Sequence, residues 1–364
     1  MPIRRKQDCH LILNNREATS LAERPTAVLA PDSAGMACAA TRLARGCLVA
    51  FPTETVYGLG ADATDANAVN DLFAAKARPR FNPLIVHVTT VPKARALVIF
   101  DAVAERLADR FWPGPLTLVL PLRPGSGLAP GISAGLPTLA VRVPDHPVAA
   151  DLLARFGRPV AAPSANRSGR ISPTSASDVM AELGGRIDAV IDGGPAPLGL
   201  ESTVLAPRPD QRTIDLLRPG AIPREVVEEA VGGRLAVRNL QESLESPDRV
   251  THTESPGQLA SHYAPESDLR LNATAPAPDE LFLGFGPTAG RCDESLSETG
   301  DLGEAAARLY AVLRRLDLLA RRTGRSIAVA RVPAQGLGYA INDRLRRAAA
   351  GRRSPEENAN GLSD

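Results

Sequence analysis

The stretch that decides the fold covers residues 46–88 and reads GCLVAFPTETVYGLGADATDANAVNDLFAAKARPRFNPLIVHV. Residues 47–51 form a short apolar run with the length and β-branched content of a buried strand, and Pro52 ends it because proline cannot donate to a ladder. The hydroxyls of Thr53 and Thr55 follow at the strand end, where ligands sit in open α/β sheets. These hydroxyls are therefore candidate ligand groups, although turn chemistry alone would also favour them there.

A helix is predicted over residues 67–77, because apolar residues recur at helical spacing behind an aspartate that can cap it. This helix delivers Lys76, Arg78 and Arg80 into one short proline-stiffened segment. We expect the three cations to converge near Asn82, where they could bind an anion. The alternative interpretation is a solvated charge run on the surface, as most short basic runs are.

Two further strands carry a polar residue among apolar neighbours. The run 84–88 contains His87, and the run 139–143 contains Arg142. An arginine inside such a strand is costly to bury unless it meets an anion, so Arg142 is either half of an ion pair or a group that binds a carboxylate. His87 is either a satisfied core residue or a ligand-binding group.

Small polar residues also follow the short apolar strand 160–162, in the sequence PSAN. Downstream, residues 171–174 lead into a helix that ends near residue 183. The N-terminus of that helix could receive a phosphate, since its backbone N–H groups are unpaired there. A serine or threonine at this position could equally serve only as the helix cap.

Composition bounds the answer without identifying it. A chain of 364 residues suits two domains, and the formal charge of +1 argues against a general nucleic-acid footprint. The four cysteines are scattered without a CxxC pair, so neither a zinc site nor a disulfide framework is predicted. The sequence shows no apolar stretch near the roughly 20 residues that span a bilayer and no apolar signal core. We therefore expect a cytoplasmic protein with no membrane contact and no bound metal of its own.

Ten motifs occur along the chain in one fixed order: PTETVYGLG, KARPRFNPLIVHV, WPGPLTLVL, TLAVRVP, APSANRSGRISPT, IDGG, ESTV, LRPG, SPGQLASHYAP and GLGYAINDRLRRAA. The first eight resemble the YrdC-like domain of threonylcarbamoyl-AMP synthases, and the last two resemble the long, two-domain branch of that family. The resemblance implies an α/β fold: a YrdC-like twisted mixed sheet with flanking helices, plus a smaller C-terminal α/β (Rossmann-like) domain.

The resemblance and the composition shifts divide the chain into five parts. We predict a variable N-terminal extension over 1–35, a YrdC-like catalytic domain over 36–232, a linker that folds over the active site over 233–267, a C-terminal α/β domain over 268–350 and a flexible tail over 351–364. The extension contains the basic run RRK. A solvated tail is favoured for that run, with a weak tRNA contact as the alternative.

The function that the resemblance implies is synthesis of L-threonylcarbamoyladenylate from L-threonine, bicarbonate or CO2, and ATP, with release of pyrophosphate. This is the first step of threonylcarbamoyl-adenosine modification of tRNA, and the downstream tRNA threonylcarbamoyl transferase machinery would receive the product. The reactants are anionic or zwitterionic, so cationic side chains and Mg²⁺ accompanying ATP should cancel their repulsion. Catalysis should then be mostly positioning and electrostatics, and no single general base stands out.

The resemblance also implies site residues, each carried over at its motif position. The residues expected to bind L-threonine are Thr55, His87, Arg142, Ala162 and Ser202. The residues expected to bind ATP are Arg78, Asn82, Thr138, Ser164, Ser172, Arg218 and Tyr263. The residues of the KxR and SAN signatures expected to act in catalysis are Lys76, Arg78, Ser164 and Asn166.

Two other functional classes remain open at this stage. A non-catalytic RNA-binding module would use the same cationic face, but the near-neutral charge and the lack of interleaved aromatic residues count against it. A carbamoyl-transferring maturation factor contains a similar domain within a longer chain. That class would need an acylphosphatase-like segment and zinc-finger cysteines, and neither is present in this sequence.

Overall fold

The computed structural model describes residues 25–208, 210, 212–233, 235–240, 263–287 and 292–350. Within these ranges the chain forms two α/β units, each built on its own sheet. The strands of the first unit are β1 (Ala27–Leu29), β2 (Val49–Phe51), β3 (Gly58–Asp62), β4 (Ile85–His87), β5 (Leu116–Pro121), β6 (Thr138–Arg142), β7 (Val160–Ala161), β8 (Ala189–Ile191), β9 (Thr203–Arg208), β10 (Thr213–Arg218) and β11 (Ala236–Asn239). Its helices are α1 (Ser33–Ala44), α2 (Ala66–Lys76), α3 (Val91–Arg95), α4 (Ala102–Phe111), α5 (Pro147–Phe156), α6 (Ala176–Leu183) and α7 (Arg224–Ala230).

The first sheet is mixed, with strand order β1-β8-β2-β3-β7-β4-β6-β5-β9-β10-β11. Its central strands are buried on both faces. Helices α1 and α5 cover one face through a cluster that includes Leu43 and Leu153. Helices α2, α4, α6 and α7 cover the other face in the larger core, with Leu72 and Leu107 among its members. Both faces being covered explains why these strands read as continuous apolar runs.

Strand β3 lies between the polar turn after β2 and helix α2. The sequence analysis did not predict this strand. Glycines make β3 a weak strand by composition, but one of them is needed for packing. A Cβ at Gly60 would lie 2.9 Å from the ring of Phe51 and 3.0 Å from the carbonyl oxygen of Val49. Helix α2 then starts where predicted, with the carboxylate of Asp65 accepting from two N–H groups of the first turn.

The second unit contains the elements β12 (Leu269–Ala273), β13 (Glu280–Gly284), β14 (Glu294–Ser295), α8 (Leu302–Thr323), β15 (Ser326–Ala330) and α9 (Leu337–Ala349). Its four strands pair in parallel in the order β12-β15-β13-β14. Leu309, Leu313 and Leu316 of α8 are buried in the core of this unit, whereas Leu319 is 41% exposed. The core of this unit also includes Val56, Ile171 and Leu200 of the first unit, so the two units share buried apolar surface.

Strands lie inside two ranges that were predicted as an extension and a linker, one at each end of the first unit. The predicted extension 1–35 contains β1, which pairs in parallel with β8, and the first residues of α1. The predicted linker 233–267 contains β11, which pairs in parallel with β10. The RRK run and the tail 351–364 lie outside the described residues. Among the described helices, none is long and apolar enough to cross a bilayer.

Candidate active site

The polar ends of neighbouring strands meet at one cleft, as the strand-end argument predicts. The turn after β2, the ends of β4, β6 and β7, and the residues that flank β9 and β10 all contribute to its wall. The residues that line this cleft are Thr53, Thr55, Val56, Gly58, Arg78, Ile85, His87, Arg142, Ala162, Pro163, Ser164, Glu201, Ser202, Arg218 and Tyr263.

Arg142 is a buried residue that lines the cleft. Its Nη1 donates to Thr55 Oγ1 over 3.0 Å, and its Nε donates to the carbonyl oxygen of Gly114 over 3.3 Å. Its Nη2 lies 2.6 Å from the Glu54 carboxylate in an ion pair that lacks hydrogen-bond angles. The ion-pair alternative for Arg142 is thus realised, and the guanidinium still lines the cleft, where it can meet a second carboxylate.

His87 lies beside Arg142 because β4 and β6 pair in parallel with these two residues in register. Burial, together with the nearby Arg142 charge, lowers the pKa of His87 to about 3 from its ordinary value of 6.5. The imidazole is therefore neutral at physiological pH. Its Nδ1 has no hydrogen-bond partner among the described residues, although the side chain is only 2% exposed. A buried, unpartnered nitrogen that lines a cleft is suited to a polar ligand.

The three cations of the KARPR segment do not converge near Asn82, so that expectation is wrong. Only Arg78 bonds there: its Nη2 donates to Asn82 Oδ1 over 2.6 Å and to the carbonyl oxygen of Pro83 over 2.7 Å. Burial and the Arg218 charge lower the pKa of Arg78 to about 9, which keeps it cationic at neutral pH. Arg80 is exposed and donates to the side chain of Asn70.

Lys76 turns away from the cleft lining and supports the SAN turn from below. Its Nζ donates to the carbonyl oxygen of Ser164 over 2.5 Å and to that of Asn166. Burial, with a contribution from Arg78, lowers the pKa of Lys76 well below its ordinary value. The amide of Asn166 is also used within the turn, where it donates to the carbonyl oxygens of residues 167 and 170. The lysine and the asparagine thus fix the backbone that presents Ser164 to the cleft.

Ser202 and Arg218 also line the cleft and are bonded to each other. The Nη2 of Arg218 donates to Ser202 Oγ over 3.0 Å, and its Nε and Nη2 both donate to the carbonyl oxygen of Ser202. The hydroxyl of Ser202 also shares a hydrogen bond of 2.7 Å with that of Thr117. Burial lowers the pKa of Arg218. The arrangement places a second guanidinium in the cleft, held rigidly against a hydroxyl.

Glu201 is a cleft-lining residue to which the sequence assigned no role. Its carboxylate accepts from Ser172 Oγ over 2.6 Å, from Arg344 Nε over 2.8 Å and from the Tyr310 hydroxyl over 2.8 and 2.9 Å. Burial alone would raise its pKa, but the Arg344 and Arg218 charges and these bonds lower the pKa of Glu201 to about 2. The signal that could have found it was its place beside Ser202 in the ESTV motif.

Tyr263 closes one side of the cleft and is the first described residue after the gap 241–262. It is 1% exposed, and its ring stacks on Tyr310 with centroids 5.8 Å apart. The guanidinium of Arg344 lies 4.9 Å from the centre of the same ring. The rest of the segment predicted to fold over the active site lies outside the described residues.

Five predicted residues are not among those that line the cleft: Lys76, Asn82, Thr138, Asn166 and Ser172. Their direct contacts with substrate therefore stay predictions. The proposed phosphate site at the N-terminus of α6 is occupied by protein, because Ser175 and Asp178 form a capping box there and Asp178 also accepts from Thr174. An anion at that helix end would meet the Asp178 carboxylate. Among the described residues, no group of three histidine, cysteine or acidic side chains could hold a metal.

Two family models together match most of the chain. Residues 41–220 match the Sua5/YciO/YrdC model, described as telomere recombination, and residues 222–350 match the C-terminal domain of threonylcarbamoyl-AMP synthase. The threonylcarbamoyl-AMP synthase of Bacillus subtilis is 40% identical over 335 residues, which covers 87% of this chain and 93% of that protein. The enzyme of the same name from Pyrococcus abyssi is 40% identical over 332 residues, covering 85% and 93%.

A solved structure matches both units at once. The crystal structure of P. abyssi Sua5 complexed with L-threonine superposes with a TM-score of 0.78 at 37% identity, covering 89% of this chain and 98% of that one. The fold and the cleft thus define a YrdC-like α/β protein that carries a second, parallel α/β unit, which confirms the predicted fold class. Within that class, the chain belongs to the threonylcarbamoyl-AMP synthase family.

Proposed function

We propose that the cleft joins L-threonine, bicarbonate or CO2, and ATP to give L-threonylcarbamoyladenylate and pyrophosphate, the first step of threonylcarbamoyl-adenosine formation in tRNA. The observation that carries this proposal is the pairing of two kinds of binding group in one cleft. One end holds Arg142, Thr55 and the neutral His87, which suit an amino acid. The other end holds Arg78 and Arg218, which suit phosphates.

The threonine end is argued from charge and protonation. The guanidinium of Arg142 lines the cleft and can meet a substrate carboxylate there, while its ion pair with Glu54 holds it in place. The amine of threonine must lose a proton before it reacts. His87 can serve as a neutral partner for that nitrogen, because an imidazole with a pKa of about 3 adds no positive charge beside the ammonium group. We expect the hydroxyls of Thr55 and Ser202, which both line the cleft, to contact the rest of the substrate.

The reaction requires two bond-forming steps. The free amine of threonine attacks the carbon of bicarbonate or CO2 to give a carbamate. With bicarbonate a carbon–oxygen bond breaks and water leaves, and with CO2 the nitrogen releases a proton to solvent. A carbamate oxygen then attacks the α-phosphorus of ATP, and the bond from that phosphorus to the bridging oxygen breaks to release pyrophosphate. Arg78 and Arg218 would stabilise the negative charge on the phosphates, and the Ser164 turn would orient them.

Mg²⁺ would enter with ATP rather than occupy a site of its own. The carboxylates of Glu54 and Glu201 are each paired with an arginine, Glu54 with Arg142 and Glu201 with Arg344. Among the described residues that line the cleft, Glu201 is the one carboxylate, so the ion would come bound to the nucleotide. The ion would supply charge neutralisation on the β- and γ-phosphates.

The product is a mixed anhydride, so a partner must use it promptly. We propose that the downstream tRNA threonylcarbamoyl transferase machinery is that partner, because its reaction consumes an activated threonylcarbamoyl group. The weak tRNA contact proposed for the RRK run falls outside the described residues. Neither an RNA-binding module nor a carbamoyl-transferring maturation factor accounts for an amino-acid end and a phosphate end in one cleft.

Pyrophosphate release tests the proposal. Purified protein with Mg²⁺ and ATP should release pyrophosphate only when L-threonine and bicarbonate are both present. L-Serine is the matched substrate control: it lacks one methyl group, which is worth about 1–3 kcal/mol in a pocket, so it should react more slowly rather than not at all. Equal rates with and without bicarbonate would indicate an ordinary amino-acid adenylating enzyme. Absence of pyrophosphate at saturating threonine, bicarbonate and Mg-ATP would overturn the proposal.

A further inference from the structure

The second unit reaches into the wall of the cleft through two buried side chains. Arg344 lies on α9 and is fully buried, and Tyr310 lies on α8 and is also fully buried. Both converge on the carboxylate of Glu201, which belongs to the first unit and lines the cleft. The family's reaction does not by itself explain why a second unit should supply groups to this wall.

The position of Glu201 makes its charge important for the cleft. It precedes Ser202, to which the cleft guanidinium of Arg218 is bonded by three contacts. A buried carboxylate so close to Arg218 would cancel much of the positive charge that an anionic substrate needs. A buried charge is also costly unless a partner compensates it. The wall therefore requires a second cation for Glu201.

Arg344 is that second cation, and its contacts serve both sides of the wall. Its Nε donates to Glu201 Oε2 over 2.8 Å, and its Nη2 donates to the carbonyl oxygen of Pro219, the residue after Arg218. Its guanidinium also lies over the ring of Tyr263. The Tyr310 hydroxyl completes the set by donating to Glu201 from the other helix.

We propose that Arg344, assisted by Tyr310, is a positioning residue that neutralises Glu201 and so preserves the positive potential at Arg218 for ATP. The second unit thereby acts on the nucleotide end of the cleft without touching the nucleotide. The inference rests on the proposed function, because it assumes that Arg218 meets phosphates. It predicts that loss of Arg344 is harmful mainly because Glu201 is left charged with Arg218 as its remaining neighbouring cation. Asp343, the other carboxylate paired with Arg344, keeps its ion pair with Arg347.

The test compares Arg344→Met with the double variant that also carries Glu201→Gln. In the pyrophosphate assay, Arg344→Met should raise the KM for ATP by about tenfold or more, with a smaller effect on kcat at saturating ATP. Adding Glu201→Gln should lower that KM again, by about threefold or more, because the uncompensated charge is gone. The matched control is Arg315→Met, which removes an exposed ion pair with Glu294 on the same unit and should leave the KM unchanged.

If Arg344 had a merely structural role, the double variant should have a KM for ATP no lower than that of Arg344→Met. The reason is that Glu201→Gln would only disturb a further set of hydrogen bonds. A KM for ATP that is equal or higher in the double variant would overturn the proposal. If Arg344→Met does not fold, Tyr310→Phe replaces it, because it removes only a hydroxyl, and the same rescue by Glu201→Gln is required. Wild-type protein that releases no pyrophosphate would instead refute the proposed function.

Discussion

Burial of the neutral His87 imidazole should make the first unit less stable as the solution is acidified. In the unfolded chain this histidine binds a proton near its ordinary pKa of 6.5, whereas in the folded protein its pKa is about 3. The stability is therefore fully present above pH 6.5 and falls as the pH drops toward 3. Each pH unit in this window costs about 1.4 kcal/mol, so between pH 8 and pH 5 the histidine alone should cost about 2 kcal/mol.

The variant His87→Asn keeps a polar side chain but cannot titrate in this range. Unfolding by guanidinium can be followed through Trp112, which is the sole tryptophan of the chain and is buried in the first unit. The free energy of unfolding of wild type minus that of the variant should fall by about 2 kcal/mol from pH 8 to pH 5, because contributions of other groups cancel in the difference. A difference that is constant with pH would refute the burial argument for His87.

Three further substitutions test two residues that line the cleft and one that supports its SAN turn. Arg142→Met should raise the KM for threonine by about thirtyfold, because hydrogen bonds to charged groups contribute about 1.5–3 kcal/mol. The control Arg95→Met, at an exposed arginine, should leave this KM unchanged. Equal effects of the two substitutions would show that Arg142 does not bind threonine. Tyr263→Ala should raise the KM for ATP by about tenfold and Tyr263→Phe by much less, because the stacked ring is kept; similar losses in both would count against packing by the ring. Lys76→Met should lower the free energy of unfolding by about 2 kcal/mol. It should also raise the KM for ATP, because Ser164 would be displaced. An unchanged melting temperature would contradict the supporting role of the lysine.

Sequence reasoning located the cleft because it depends on features that are local in the chain. A buried strand that ends in a polar turn can be recognised from the sequence, and the strand-end rule marked the hydroxyls of Thr53 and Thr55 as candidate ligand groups. The grouping of Thr55 with His87 and Arg142 was implied by the family resemblance, and the structure places these three residues in the lining of one cleft. The KxR and SAN signatures were also visible. Their roles divide in the structure, because Arg78 lines the cleft while Lys76 supports the turn below it.

The groups that sequence reasoning missed depend on contacts between distant parts of the chain. Glu201 and Arg344 are 143 residues apart, and nothing in either local sequence marks them as partners. The strand β3 was missed for a different reason: its glycines lower β propensity, and the space they leave is needed only because Phe51 packs against them. The ends of the first unit were also missed. The sequences of β1 and β11 are too short to predict a strand by themselves, and each forms a strand by pairing with a distant or preceding strand, β8 and β10 respectively.

The composition of the reaction product tests the central claim most directly. Protein, Mg²⁺, ATP, tritium-labelled L-threonine and carbon-14-labelled bicarbonate should give one new adenine-containing species on chromatography. That species should carry threonine, bicarbonate carbon and AMP in equal amounts, and an equal amount of pyrophosphate should be released. A threonine adenylate without carbon-14 would contradict the account, as would pyrophosphate release that leaves both labels in the starting materials.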